Sequence, residues 1–140
     1  MAEVGRVLAL DPGSKRVGVA VSDSARSMAF PRPALRAGDA LVAEVVSLVE
    51  DEAASLVVVG LPRSLSGAEG PAAVLARALV EQLRGPLGHR GIDVELHDER
   101  LTTVEASRAL TAAGHTSRTL KGSVDSAAAT VLLESWLAGR

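Results

Sequence analysis

The stretch Val7–Asp23, VLALDPGSKRVGVAVSD, constrains the fold more than any other part of the chain. The apolar run Val7-Leu8-Ala9-Leu10 ends in Asp11 and the turn residues Pro12-Gly13-Ser14-Lys15. Val17, Val19 and Val21 then alternate with small residues. Pro and Gly favour the bend and Val favours the pleat, so the stretch reads as two short strands joined by a tight turn. Asp11 then stands at the tip of a central strand. A carboxylate there is costly to bury alone and calls for a cation, a donor or a ligand.

Beyond the hairpin, Met28–Arg36 reads as a third strand. Pro31 and Pro33 cannot donate to a ladder, which puts it at a sheet edge. Asp39–Ala53 has the spacing of a helix with Leu41, Val45, Leu48 and Val49 on one face. Leu56–Val59, ended by Gly60, is a continuous apolar run of the kind found in strands buried on both faces. The loop LPRSLSGAEG leads to Pro71, a first-turn proline opening a helix that Gly85-Pro86 should stop. Ile92–Leu96 is a further strand. Thr102 and Glu105 form a capping box, predicting a helix from Thr102 to Gly114. Residues 115–122 read as a loop, and a last helix covers Ser123–Leu137.

This order predicts an α/β fold with a five-stranded mixed sheet flanked by helices. Three strands form an antiparallel meander, and two more run parallel to the first through right-handed crossovers. The C-terminal ends of the strands at 7–10, 56–59 and 92–97 then share one edge, where open α/β sheets place ligands. Asp11, Gly60-Leu61-Pro62 and Asp98-Glu99 gather there.

A chain of 140 residues is expected to form a single domain with one sizeable core. It has no cysteine, which excludes disulfides and thiolate metal sites. MAEVGR carries no apolar signal segment and no run reaches membrane-spanning length, so the expected location is the cytoplasm, with no membrane partner. The net charge of −2 argues against a broadly basic nucleic-acid coat, though not against a nuclease with an acidic centre. Phe30 and Trp136 are the only aromatic residues, so base-stacking platforms cannot be built. A nucleic-acid partner would be held by its backbone and shape.

Asp125 extends the acidic group. In the last helix Asp125, Ala128, Ala129, Leu132 and Trp136 form one stripe, and the segment Ala127–Leu133 is apolar almost all round, so the stripe should face the sheet. Alone, Asp125 is an acid in a helix's first turn. With Asp11 and Asp98-Glu99 it makes a shared acidic site. Carboxylates from three elements suit a hard divalent cation, Mg²⁺ or Mn²⁺, and paired metals can activate water against a phosphodiester. The bland account of Asp98-Glu99 is a solvated strand end paired with Arg100. Glu105 is explained by the capping box, and His97 by a bond to a neighbour. Lys15, Arg16 and Arg63 lie in loops near the same edge. The segment 106–124 adds Arg108, Arg118 and Lys121 with no acid. A basic rim of this kind would hold a phosphate backbone around an acidic centre.

At these residues the sequence resembles the YqgF family, also called RuvX, of the ribonuclease H-like fold. The matching pieces are LALDPGSKRVGVAVSD, VVVGLPRSLSGAEG, HDERLTTVEA and KGSVDSAAATVLL, in family order and over most of the chain. The resemblance implies a nuclease with Asp11, Glu99 (or Asp98) and Asp125 as metal-binding acids. It further implies a role in processing the 5′ end of pre-16S ribosomal RNA, with Holliday junction resolution as the older proposal for the family. Related resolvases carry an acid at the end of the fourth strand, where this chain has Val59-Gly60-Leu61, so Asp98-Glu99 must substitute. Alternation puts those two on opposite faces; reach and the family pattern favour Glu99. The nucleic-acid contacts expected are Lys15, Arg16, Arg63, Arg100, Arg118 and Lys121, in a monomer or homodimer.

Two other classes compete with this reading. Asp-x-Gly followed by a Val-rich return strand also resembles the first phosphate loop of actin-like ATPases. Those enzymes need two copies of the fold, and this chain has no second such hairpin. A non-catalytic RNA-binding factor in ribosome assembly would keep the fold without the turnover, and the four carboxylates argue against it.

Overall fold

The computed structural model describes residues 5–62, 68–98 and 117–139, with 117–125 as backbone only. Its elements are β1 (Arg6–Pro12), β2 (Arg16–Ser22), β3 (Ala29–Arg36), α1 (Leu41–Glu52), β4 (Ala54–Leu61), α2 (Pro71–Gly88), β5 (Asp93–Asp98) and α3 (Ser117–Ala138). The sheet order is β3-β2-β1-β4-β5. β1 is antiparallel to β2 and parallel to β4, β2 is antiparallel to β3, and β4 is parallel to β5. The expected meander and the two parallel additions are present.

Strand alternation sorts the core into two layers. Leu8 and Leu10 of β1, Val17, Val19 and Val21 of β2, and Val57 and Val59 of β4 pack with α1 and α2. Val7 and Ala9 of β1, Ala20 of β2, and Leu56 and Val58 of β4 pack on the other face with Ala129, Leu132 and Leu133 of α3. β1 is therefore covered on both sides, as its unbroken apolar run requires. No helix among the described residues is long and apolar enough to cross a membrane.

Two boundaries differ from expectation. α2 runs through Gly85-Pro86 to Gly88, with Pro86 inside the helix. Leu87 is fully buried in the core. Burying that side chain outweighs the one backbone hydrogen bond that proline removes in a last turn. α3 begins at Ser117, so residues 117–122, expected as loop, are helical. Polarity was the loop signal there, but Arg118, Leu120 and Lys121 are strong helix formers. The expected helix from Thr102 to Gly114, with its capping box, lies outside the described residues.

Two polar devices fix the ends of the sheet. Glu52, at the end of α1, accepts hydrogen bonds from Arg6 of β1 at 2.6 Å and Arg32 of β3 at 2.8 Å. The bond from Arg32 is the main reason its carboxyl is held below the usual range. In the β2–β3 turn, Asp23 accepts from the Ser27 amide (2.7 Å), the Ser27 hydroxyl (2.6 Å) and the Met28 amide (2.9 Å). These bonds, led by that from the Ser27 hydroxyl, lower its pKa from 3.8 to about 2. A carboxyl whose folded pKa is depressed stabilises the fold above its unfolded value and loses that contribution as pH falls through the folded one. Asp23→Asn should therefore flatten the stability profile between pH 4 and about 2 and leave the profile above pH 5 unchanged in slope. Urea unfolding across that range measures it.

Candidate active site

Asp11 is the last polar residue before β1 ends, and alternation decides where it points. It shares parity with Val7 and Ala9, so it projects from the α3 face. Its register partner on β2 is Gly18. On the other side Leu10 pairs with Val59, and the same register carried one residue further brings Gly60 beside Asp11. The half-exposed carboxylate is thus flanked by two positions without side chains. That leaves room on the sheet for a ligand. The turn that follows is tight: the Gly13 amide donates to the Arg16 carbonyl at 2.9 Å. A Cβ at Gly13 would sit 2.8 Å from that oxygen, so only glycine closes the turn without a shift.

β5 ends on Asp98, and its alternation sorts its residues between the two faces. Val94 and Leu96 pack with α2. Glu95 and His97 point to α3, where Glu95 accepts from Trp136 Nε1 at 3.1 Å and His97 Nε2 lies 3.1 Å from Ser135 Oγ. Asp98 pairs with Leu61 in register and has the parity of Leu96. It belongs to the face opposite Asp11. Its placement does not join Asp11, and the reason is the period of the strand. His97 is bonded to a neighbour, as expected.

α3 is pinned to the sheet by a residue that sequence reasoning passed over. The β2–β3 register shifts between Val17 and Val19. At this bulge Ser126 Oγ accepts from the Val19 amide at 3.0 Å and donates to the Arg32 carbonyl at 2.6 Å. The hydroxyl bridges two backbone groups of the irregular ladder, and Ser126 is 1% exposed. Thr130, one turn on, donates to the Ser126 carbonyl at 2.8 Å. Asp125 is the residue before this anchor. Ala129, Leu132 and Trp136 of the expected stripe do pack on the sheet. The signal for Ser126 lay in Pro31 and Pro33: prolines in an edge strand accompany bulges, and a bulge leaves backbone groups in need of a partner.

Of the expected cations, Lys15 and Arg16 line an open hollow of about 830 Å³ with Gly13, Ser14, Arg36 and Ala37. Arg118 and Lys121 lie on the first turns of α3. Arg63, Glu99 and Arg100 fall outside the described residues, as do the side chains of Arg118, Lys121 and Asp125. Among the described residues no three His, Cys, Asp or Glu side chains come together to hold a metal.

The family model described as "RuvX: Holliday junction resolvase" matches residues 5–139. A relative in an Anaeromyxobacter species, named "Putative pre-16S rRNA nuclease", is 39% identical over 137 residues, spanning 96% of this chain and 98% of its own. A relative of the same name in Escherichia coli is 39% identical, spanning 94% of this chain and 95% of its own. Among solved structures, the fowlpox virus Holliday junction resolvase superposes with a TM-score of 0.64 at 11% identity, covering 96% of this chain and 99% of its own. Thermus thermophilus RuvC in complex with a Holliday junction gives 0.58 at 14% identity, covering 96% of each. The architecture is that of the ribonuclease H-like resolvases.

Replacing Ser126 by Ala leaves the Val19 amide and Arg32 carbonyl buried without their bridge. A loss of about 1–3 kcal/mol of stability is expected, read from urea unfolding. Ser126→Thr, which keeps the hydroxyl, should recover part of it.

Proposed function

The chain belongs to the RuvX family, and from that premise we propose that it is a single-domain, metal-dependent nuclease. It hydrolyses phosphodiester bonds in structured nucleic acid, with the 5′ end of pre-16S rRNA as its substrate. The observation that carries the chemistry is the placement of Asp11 at the end of β1, on the α3 face, between the bare positions 18 and 60. The substrate is proposed from the two relatives, which match over nearly the full length of both partners. A second reading, resolution of branched DNA, is favoured by the family description.

The proposed metal-holding set is Asp11, Glu99 and Asp125. These are hard oxygen donors in a chain without cysteine, the chemistry Mg²⁺ and Mn²⁺ prefer. Glu99 stands in this set rather than Asp98 for its reach and the family pattern, Asp98 sharing the parity of Leu96 on the opposite face. Asp125 is chosen because its neighbour Ser126 is fixed at the β2–β3 bulge. A bound divalent cation would supply an activated water and charge stabilisation at the leaving oxygen. The chain's own residues hold the scissile phosphate against this corner. Lys15 and Arg16 neutralise the backbone beside it, with Arg63, Arg100, Arg118 and Lys121 proposed as further contacts.

Incubation of precursor rRNA and of a four-way DNA junction with the protein and Mg²⁺ or Mn²⁺ tests this. Asp11→Asn and Asp125→Asn should each lower the cleavage rate about 100-fold or more while circular dichroism stays native. Chelation with EDTA should have the same effect. Cleavage by both variants at the parent rate would show that the acidic corner is not the active site. Cleavage of the junction but not the rRNA would select the second reading.

A further inference from the structure

We propose that the hollow between the β1–β2 turn and the end of β3 is a binding subsite for a backbone phosphate other than the scissile one, with Arg36 as its outer cation. The inference rests on the nuclease reading and deepens it, because it states the path by which nucleic acid reaches Asp11.

Three observations meet there. The first is charge. Among the described residues, Lys15, Arg16 and Arg36 line a hollow of about 830 Å³ with Gly13, Ser14 and Ala37. Arg16 and Arg36 are direct register partners across β2 and β3. In a chain whose net charge is −2, such a cluster is a local field suited to an anion.

The second is direction. Val17 and Leu35 pack into the layer beneath α1 and α2. Their neighbours Arg16 and Arg36 therefore project from the opposite face, the one Asp11 shares. Asp11 on β1 and Arg36 on β3 stand two strands apart and two residues out of line, since Asp11 pairs with Gly18 and Arg36 with Arg16, about 12 Å at ordinary strand spacing and rise. A strand whose scissile bond lies at Asp11 would thus lay a neighbouring phosphate in the hollow, crossing the sheet toward its β3 edge.

The third is rigidity. The Gly13 amide to Arg16 carbonyl bond and the Ala37 amide to Lys15 carbonyl bond, each 2.9 Å, tie the turn to the chain leaving β3. The cations are thereby carried on a closed frame. Guanidinium groups match phosphate oxygens in a two-pronged fashion, and the backbone phosphodiester is common to RNA and DNA.

The test separates binding from turnover by working in the Asp11→Asn protein. Affinity for a fluorescein-labelled RNA hairpin and a labelled four-way DNA junction is measured by anisotropy from 50 to 200 mM salt. Arg36→Ala should weaken binding of either probe about tenfold. It should also reduce the slope of log K against log salt by about one, the signature of one lost phosphate contact. Arg36 is exposed, so the same substitution should leave Tm unchanged. Arg36→Lys should restore most of the slope. Unchanged affinity and slope, or a binding loss that tracks a fall in Tm, overturns the subsite. Loss of binding in Arg36→Ala together with full cleavage by Asp11→Asn would uphold the subsite and overturn the acidic corner, so the two failures are told apart.

Discussion

Burial of β1 on both faces is the constraint from which the rest follows. Val7 and Ala9 meet α3, while Leu8 and Leu10 meet α1 and α2. A strand so enclosed can carry a carboxylate only where the enclosure ends, which is position 11. Parity with Val7 and Ala9 then chooses the face, and the glycines at 18 and 60 keep that face clear. The same rule acts on β5, where Asp98 follows Leu96 to the far side. A period of two residues, applied to two strands, sets Asp11 and Asp98 on opposite sides of the sheet.

What holds α3 over that side is partly apolar and partly a single hydroxyl. Ala129, Leu132 and Leu133 supply the contact area, but such packing tolerates sliding. Ser126 removes that freedom, since its two hydrogen bonds exist at only one position along the β2–β3 bulge. The register shift that would weaken an edge strand becomes the socket for a helix. Pro31 and Pro33, which keep β3 from accepting another strand, belong to the same arrangement.

Much of this was legible in the residues. The hairpin at Val7–Asp23, the buried run at Leu56–Val59 and the parallel crossovers follow from period, turn chemistry and handedness, and the sheet has the expected order. Asp11 was legible as an acid needing a reason. The passage of α2 through Pro86 was not, because the burial of Leu87 is a tertiary gain that local propensity does not contain. Ser126 and Arg36 were not legible either. Ser126 acts through a bulge whose position depends on how β2 and β3 pair, and Arg36 acquires meaning only when register sets it opposite Arg16.

On the proposed reading, the charge arrangement lets a protein of net charge −2 serve a polyanion. An acidic corner without company would repel the phosphates it is meant to cut. Cations spread over the whole surface would bind nucleic acid anywhere and hold the scissile bond nowhere in particular. On the proposed reading, Lys15 and Arg16 at the β1–β2 turn and Arg36 at the end of β3 avoid both outcomes. The attraction is local, and because the frame is closed by backbone hydrogen bonds it is also directional. On that reading a duplex or hairpin drawn to the hollow would meet the carboxylate two strands away. With only Phe30 and Trp136 for aromatic surface, such positioning has to come from phosphate geometry rather than from stacked bases.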